Sequence, residues 1–189
     1  MLPLYIWLTS AVLFAAFVLF VFAQAASARN GAQAAADAAA LAAAQESRDE
    51  LLDGLVTAID HDENWLDWLT GRLPEGVGAE DAAERLAAAN DATVTGFAPA
   101  TVNGYPGYRV EIETTYTVGD SIIPGTESQR ARAHATAVIS PRCDIGASAE
   151  PGGPVELDCE GGTVEIDPRE FTPEDLPDAS DLFSVRLAE

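Results

Sequence analysis

Residues 29–45 read RNGAQAAADAAALAAAQ, with alanine at ten of the thirteen positions from Ala32 to Ala44. Alanine is the best helix former, because its methyl group loses no rotamer freedom in the helix. The stretch is therefore helical, yet its side chains are too small to build an ordinary core alone. Working outward, the nearest prolines are Pro3 and Pro74, and Gly31 and Gly54 are the only glycines before Gly71. One helix is predicted from about Pro3 to about Ile59, roughly 85 Å long at 1.5 Å per residue.

The first part of that helix has a different chemistry. Leu4 to Ala23 is a run of twenty uncharged residues, LYIWLTSAVLFAAFVLFVFA, which matches the hydrocarbon thickness of a bilayer. A cleaved signal peptide would need a basic leader, a shorter apolar run and a small-residue cleavage site. Only AQAASA at Ala23 to Ala28 resembles such a site, so the segment reads as an anchor. Orientation is pulled two ways. The first basic residue, Arg29, lies beyond the span, which by the positive-inside rule would keep the rest of the chain in the cytoplasm. Cys143 and Cys159, the only thiols, instead suggest a disulfide across the turn-rich GASAEPGGPVELD in an oxidising compartment. The alternative is two unpaired thiols buried as small residues.

At 189 residues, the chain beyond its apolar segment amounts to one modest domain. Asp and Glu number 31 against ten arginines, with no lysine, for a formal charge of −21. Such a charge repels nucleic acid and anionic lipid, and neither is expected as a partner of the soluble part.

In the outer half of the long helix, Leu41, Leu51, Leu52, Leu55, Val56 and Ile59 form one apolar stripe for the following domain. Glu46, Arg48, Asp49, Glu50 and Asp53 are expected to be a solvated surface. HDENWLDWLTGRL suits a short amphipathic helix with its tryptophans as core anchors. AEDAAERLAAANDA, from Ala79 to Ala92, reads as another helix with Leu86 facing inward. After Asp91 the period changes to two. ATVTGFAPATVNG, YRVEIETTYTVG and SQRARAHATAVISP predict three antiparallel strands covered on one face by the helices. Further on, TVEID is a short strand candidate and LFSVRL an edge strand after an acidic, proline-bearing stretch. The fold class is α+β.

Signatures of chemistry are missing: no Gly-x-Ser-x-Gly elbow, no His-Glu-x-x-His, no phosphate-cradling loop and no calcium loop. DASDL at Asp178 to Leu182 comes near an Asp-x-Ser-x-Ser metal motif, but Leu182 stands where the second serine belongs. His61 and His134 are isolated, and His134 on its strand is expected to be structural. No catalytic residue, cofactor or metal is predicted, and the protein is not read as an enzyme.

What remains is the alanine stretch. A thin helix lets a neighbouring backbone approach closely, and small residues four apart mark packed membrane helices. That spacing occurs at Ala11 and Ala15, Ala23 and Ser27, and Ala28 and Ala32. Asn30, Gln33 and Asp37 share one face. The helix-packing set is expected to be Ala28, Ala32, Gln33, Ala35, Asp37, Ala38, Leu41 and Ala42. A plain stalk holding a domain off the bilayer is the simpler alternative.

The same residues carry a resemblance. An apolar helix running into Arg29, Gln33, Ala35, Ala36, Asp37, Ala38, Ala39, Ala40, Leu41 and Ala42 resembles the tight-adherence (Tad, Flp-type) pilus-assembly proteins of the TadE/TadG-like branch. The resemblance covers about the first 50 residues. It implies a pilin-like or pilus-associated envelope protein, with its helix in the membrane or bundled with pilus subunits and its C-terminal domain outside. It would also imply a short basic segment before the apolar run and, for a processed subunit, an early glutamate. This chain starts MLPLYIW, has Tyr5 in the glutamate's neighbourhood and has no acid before Asp37, so a minor or accessory component is expected.

The expected organisation is a transmembrane anchor over 1–28, an alanine-rich extension over 29–60, and an extracytoplasmic α+β domain over 61–189 with Cys143 and Cys159 bridged. The expected partners are membrane lipid and other pilus or pilus-assembly subunits. The competing functional reading is a membrane-tethered acidic binding module unrelated to pili.

Overall fold

The computed structural model describes residues 2–61, 63–71, 76–117, 128–147 and 149–188. The long helix, α1, spans Leu2–Asp60 without a break. Its C-terminus is closed by backbone bonds from His61 N–H to the Thr57 carbonyl (3.2 Å) and from Glu63 N–H to the Ala58 carbonyl (2.9 Å). These satisfy carbonyls that the helix itself leaves open. The short helix α2, Leu66–Leu69, follows, and then α3, Ala79–Ala89.

The strands are β1 (Ala92–Val102), β2 (Tyr105–Thr117), β3 (Arg130–Pro141), β4 (Cys143–Ile145), β5 (Val155–Cys159), β6 (Gly162–Ile166) and β7 (Phe183–Ala188). They form a four-stranded sheet in the order β1-β2-β3-β7 and a three-stranded sheet in the order β4-β5-β6. All pairings are antiparallel. The β1–β2 hairpin turns on Asn103 and Gly104, at φ 53° and 84°. Two left-handed residues make the tight turn whose twist matches the strands, and Asn-Gly is the pair that tolerates it best. LFSVRL is an edge strand, lying beside β3 with Ile139 opposite Val185. A single helical turn, α4, Ala179–Leu182, leads into it from the DASDL stretch.

The larger sheet buries one face under the helices. Tyr108, Val110, Ile112 and Thr114 on β2, with Ala135, Ala137 and Ile139 on β3, point inward, while Arg109, Glu111, Arg132 and His134 lie on the exposed face. Against that inner face lies one stripe of α1 running from Ala32 through Ala35, Ala36, Ala39, Ala40, Ala43, Ala44, Ser47, Leu51 and Leu55 to Ala58 and Ile59. The spacing of three and four residues keeps all of them on one side of the helix.

The alanine stretch thus has two neighbours inside its own chain. The sheet covers one flank of α1, and α3 covers the other with Ala79, Ala83 and Ala87. Leu86, expected inward, is instead exposed. Two helices meeting at alanine distance leave no room for a leucine between them, so it sits at the rim. Larger residues fill the far end of the core. Trp65 is buried and donates through Nε1 to the Pro151 carbonyl at 2.9 Å. Trp68 lies half-buried against α1 at Gly54, where any Cβ would run into its ring. A glycine within a helix costs about 1 kcal/mol relative to alanine, and here it opens the groove that receives an indole. Glu50, expected to be merely solvated, accepts the Gly78 N–H at 2.9 Å and so holds the start of α3 to α1.

The cysteines are register partners on β4 and β5 and are bridged. The bridge ties the smaller sheet at its end nearest Arg142, whose guanidinium bonds Glu160 at 2.8 Å and the Ser180 carbonyl at 2.8 Å.

Candidate functional site

The same helix lives in two environments. From Leu4 to Phe22 its large apolar side chains stand bare, among them Trp7, Leu13, Phe14, Leu19 and Phe22, each about 70% exposed. None of the most apolar window is covered by the rest of the chain. From Ala32 onward the stripe facing the domain is sealed. The change falls within about two turns, and it coincides with the first charge, Arg29. A water-exposed apolar rod of this size is a severe liability, whereas in hydrocarbon the same surface costs nothing and its helical backbone is already satisfied.

The polar residues at the crossover lock the helix to the sheet. Gln33 donates through Nε2 to Asp37 Oδ1 at 2.8 Å and to the carbonyl of His134 on β3 at 3.2 Å. The expected structural role of His134 therefore falls to its carbonyl. Tyr116 of β2 meets the helix nearby: a Cβ on Gly31 would lie 2.5 Å from its Oη, so a larger residue there would have to push the phenol aside. Thr114 Oγ1 takes the Ala131 N–H at 3.1 Å and donates to the Tyr116 carbonyl at 2.8 Å, bridging the irregular end of the β2–β3 ladder.

The residues expected to pack helices divide sharply by face. Ala28, Ala32, Ala35 and Ala42 are buried, Asp37, Ala38 and Leu41 are half-buried, and Gln33 is exposed. Of these, Ala32 and Ala35 belong to the core in which α1 packs on the chain's own strands and α3, so that face is occupied without a second molecule. Residues that pattern reading did not single out include Ser47 and Tyr108, whose hydroxyls meet in the core, and Tyr116. Ser47 does fall on the alanine stripe at the helical interval, a signal that was available. Nothing local pairs Gly31 with a tyrosine so far along the chain.

Among the described residues no three His, Cys, Asp or Glu side chains gather as metal ligands would. Among the described residues, the two displaced titrations belong to one exposed pair. Arg169 donates through side chain and backbone to Asp167, which lowers the carboxyl pKa, and the same side-chain bond raises that of the guanidinium. Two residues apart and at the surface, this pair is local turn structure.

These features define a class: an α+β domain built onto the outer half of an N-terminal helix whose inner half is long and apolar enough to cross a membrane. Residues 4–46 match the family model of the Flp pilus-assembly TadE/G-like proteins, so this segment of the chain is similar to that family. The match covers both the apolar run and the alanine stretch. No curated protein and no solved structure matches the chain.

Proposed function

We propose that the protein is a single-span envelope component of a Flp-type pilus-assembly system, minor or accessory in role. In this reading the segment before Arg29 crosses the membrane and the α+β domain lies on the extracytoplasmic side. The observation that carries it is the division of α1 into a bare apolar half and a half sealed into the domain. The family match over residues 4–46 supplies the pilus context. The Cys143–Cys159 bridge supports an oxidising compartment for the domain. The role is assembly and display rather than catalysis.

The burial of α1 supports a division of its surface between the chain's own core and other subunits. The buried alanines between Ala32 and Ala44 serve the chain's own core, and lateral contacts with other subunits fall on the bare half, where Ala11 and Ala15 carry the small-residue spacing, and on the open face of the extension at Gln33, Ala34 and Asp37. The 29–60 extension acts as part of the outer domain, since its apolar stripe is the floor of that core.

An anchor exchange tests the proposal. Residues 3–23 are replaced by an unrelated single-span helix, and membrane insertion, domain folding and piliation are scored in cells. An assembly component loses piliation while remaining inserted and folded. Full piliation with the foreign anchor would leave a tethered acidic binding module as the better reading. Maleimide labelling of intact cells before and after reduction checks the side of the membrane: the two thiols become reactive only after reduction, and only if they face outward.

A further inference from the structure

A formal charge of −21 argues against any attraction between the domain and anionic lipid, but the charge is unevenly placed. Of the arginines in the described residues, Arg48, Arg85, Arg109, Arg142 and Arg169 each sit on a carboxylate close at hand. Arg186 lies over the Tyr105 ring, 5.5 Å from its centre. The remaining three, Arg29, Arg130 and Arg132, cluster where the helix leaves its bare half. Arg130 and Arg132 share a single carboxylate, Glu113, at 3.8 and 2.6 Å. Among the described residues Arg29 has no hydrogen bond or ion pair. Among the described residues, this end of the domain gathers three arginines around a single carboxylate.

That end also has a shaped recess. A cleft of about 540 Å³ is lined by Phe22 and Ala26 from the apolar side of the crossover, by Arg29 and Asn30 from the next helical turn, and by Ala131 and Arg132 from β3. Its wall is apolar toward the span and cationic toward the domain. The Arg132–Glu113 contacts run through Nε and Nη2, which leaves Nη1 as a donor, and all five guanidinium donors of Arg29 remain. A headgroup phosphate seated here would take charge-assisted bonds from two guanidinium groups while its acyl chains run along Phe22 toward the hydrocarbon.

The geometry points to a binding site for the phosphate of an anionic phospholipid between Arg29 and Arg132. The site rests on the proposed membrane placement of α1, because only then does the cleft lie at headgroup depth. Occupancy would pin the base of the sheet to the bilayer surface and fix how far the helix is immersed, with the acidic remainder of the domain repelled from the same surface.

The test uses the full chain reconstituted in nanodiscs of mixed phosphatidylcholine and phosphatidylglycerol, with retained lipid identified by native mass spectrometry. The wild type is expected to keep phosphatidylglycerol in excess over its share of the bilayer. Arg29→Gln, which breaks no hydrogen bond or ion pair among the described residues, should reduce that excess about fivefold, and Arg29→Gln with Arg132→Gln about 25-fold. Arg85→Gln, an equal change of charge elsewhere, should leave it intact. Absence of any excess in the wild type, or its survival in Arg29→Gln, overturns the site. Displacement of the lipid by soluble glycerol phosphate overturns it too, since the acyl chains would then contribute nothing. A chain that fails to enter the nanodisc at all refutes the membrane placement instead, a distinct outcome.

Discussion

Ser47 donates its hydroxyl proton to the phenol oxygen of Tyr108 at 3.0 Å, with both residues buried, so the long helix is stitched to β2 in the middle of the core. The bond satisfies two polar groups that burial would otherwise strand, at the point where the alanine stripe gives way to leucines. Removing one partner leaves the other without its bond in an apolar setting, which costs about 1–3 kcal/mol. Ser47→Ala and Tyr108→Phe should each destabilise the protein by about that amount. The double variant should lose clearly less than the sum. Chemical denaturation of the four proteins of this cycle gives the coupling, and strictly additive losses would show that the two hydroxyls do not interact.

The alanine stripe predicts opposite outcomes for chemically identical substitutions. Ala39 is completely buried against strand and helix, and Ala34, on the other side of α1, is exposed. Ala39→Leu adds three carbons where there is no space and should destabilise by about 1–3 kcal/mol, while Ala34→Leu should be close to neutral. Melting temperatures of the two variants in the same detergent decide it. Equal stability would mean that the stripe is not internal.

The disulfide should stabilise the smaller sheet. With a sequence separation of 16, the Cys143–Cys159 link contributes about 3 kcal/mol through the unfolded chain. Cys143→Ser with Cys159→Ser should lower stability by that order. Hydrogen exchange should rise first in β4, β5 and β6, since β1, β2 and β3 retain the helix-covered core.

At Asp167 the bonds from Arg169 depress the carboxyl pKa. Its folded value lies below that of an unfolded aspartate, so its contribution to stability is present above the ordinary carboxylate pKa and is lost as pH falls through the depressed one. A carbon-detected titration should place Asp167 below the free side chain, and Arg169→Gln should return it toward the ordinary value.

For the bare half of α1 the decisive change is charge. Leu13 and Phe17 both project from the exposed apolar rod. Arginine at each costs roughly 3 kcal/mol near the centre of a span. The double substitution Leu13→Arg with Phe17→Arg should move the protein into the carbonate-soluble fraction, and persistence in the membrane pellet would contradict insertion.

Most of the architecture could be read ahead because its signals are local. Proline and glycine spacing bounded the helix at about Pro3 to Ile59, against Leu2–Asp60 observed, and alternation placed β1, β2 and β3. The edge strand LFSVRL and the bridged cysteines followed from equally local marks. What pattern could not show was which neighbour fills a small-residue face. Alanines four apart permit close approach, but whether the approaching backbone belongs to another subunit or to β3 depends on how the chain returns 100 residues later. The same long-range information decides that Glu50 caps α3, that Leu86 is left at the rim, and that Gly31 faces Tyr116.

The unbroken run of α1 has a mechanical consequence. No proline interrupts its 59 residues, and its two glycines each lie beside an aromatic side chain, Tyr116 and Trp68. Without a hinge between span and sheet, torque on one end is delivered to the other. A tilt of about 5° within the bilayer would swing the distal rim by roughly 4 Å over the ~50 Å that stand beyond it. In the proposed setting the globular head is therefore a pointer, and a subunit pressing on the rod inside the lipid steers it without touching it.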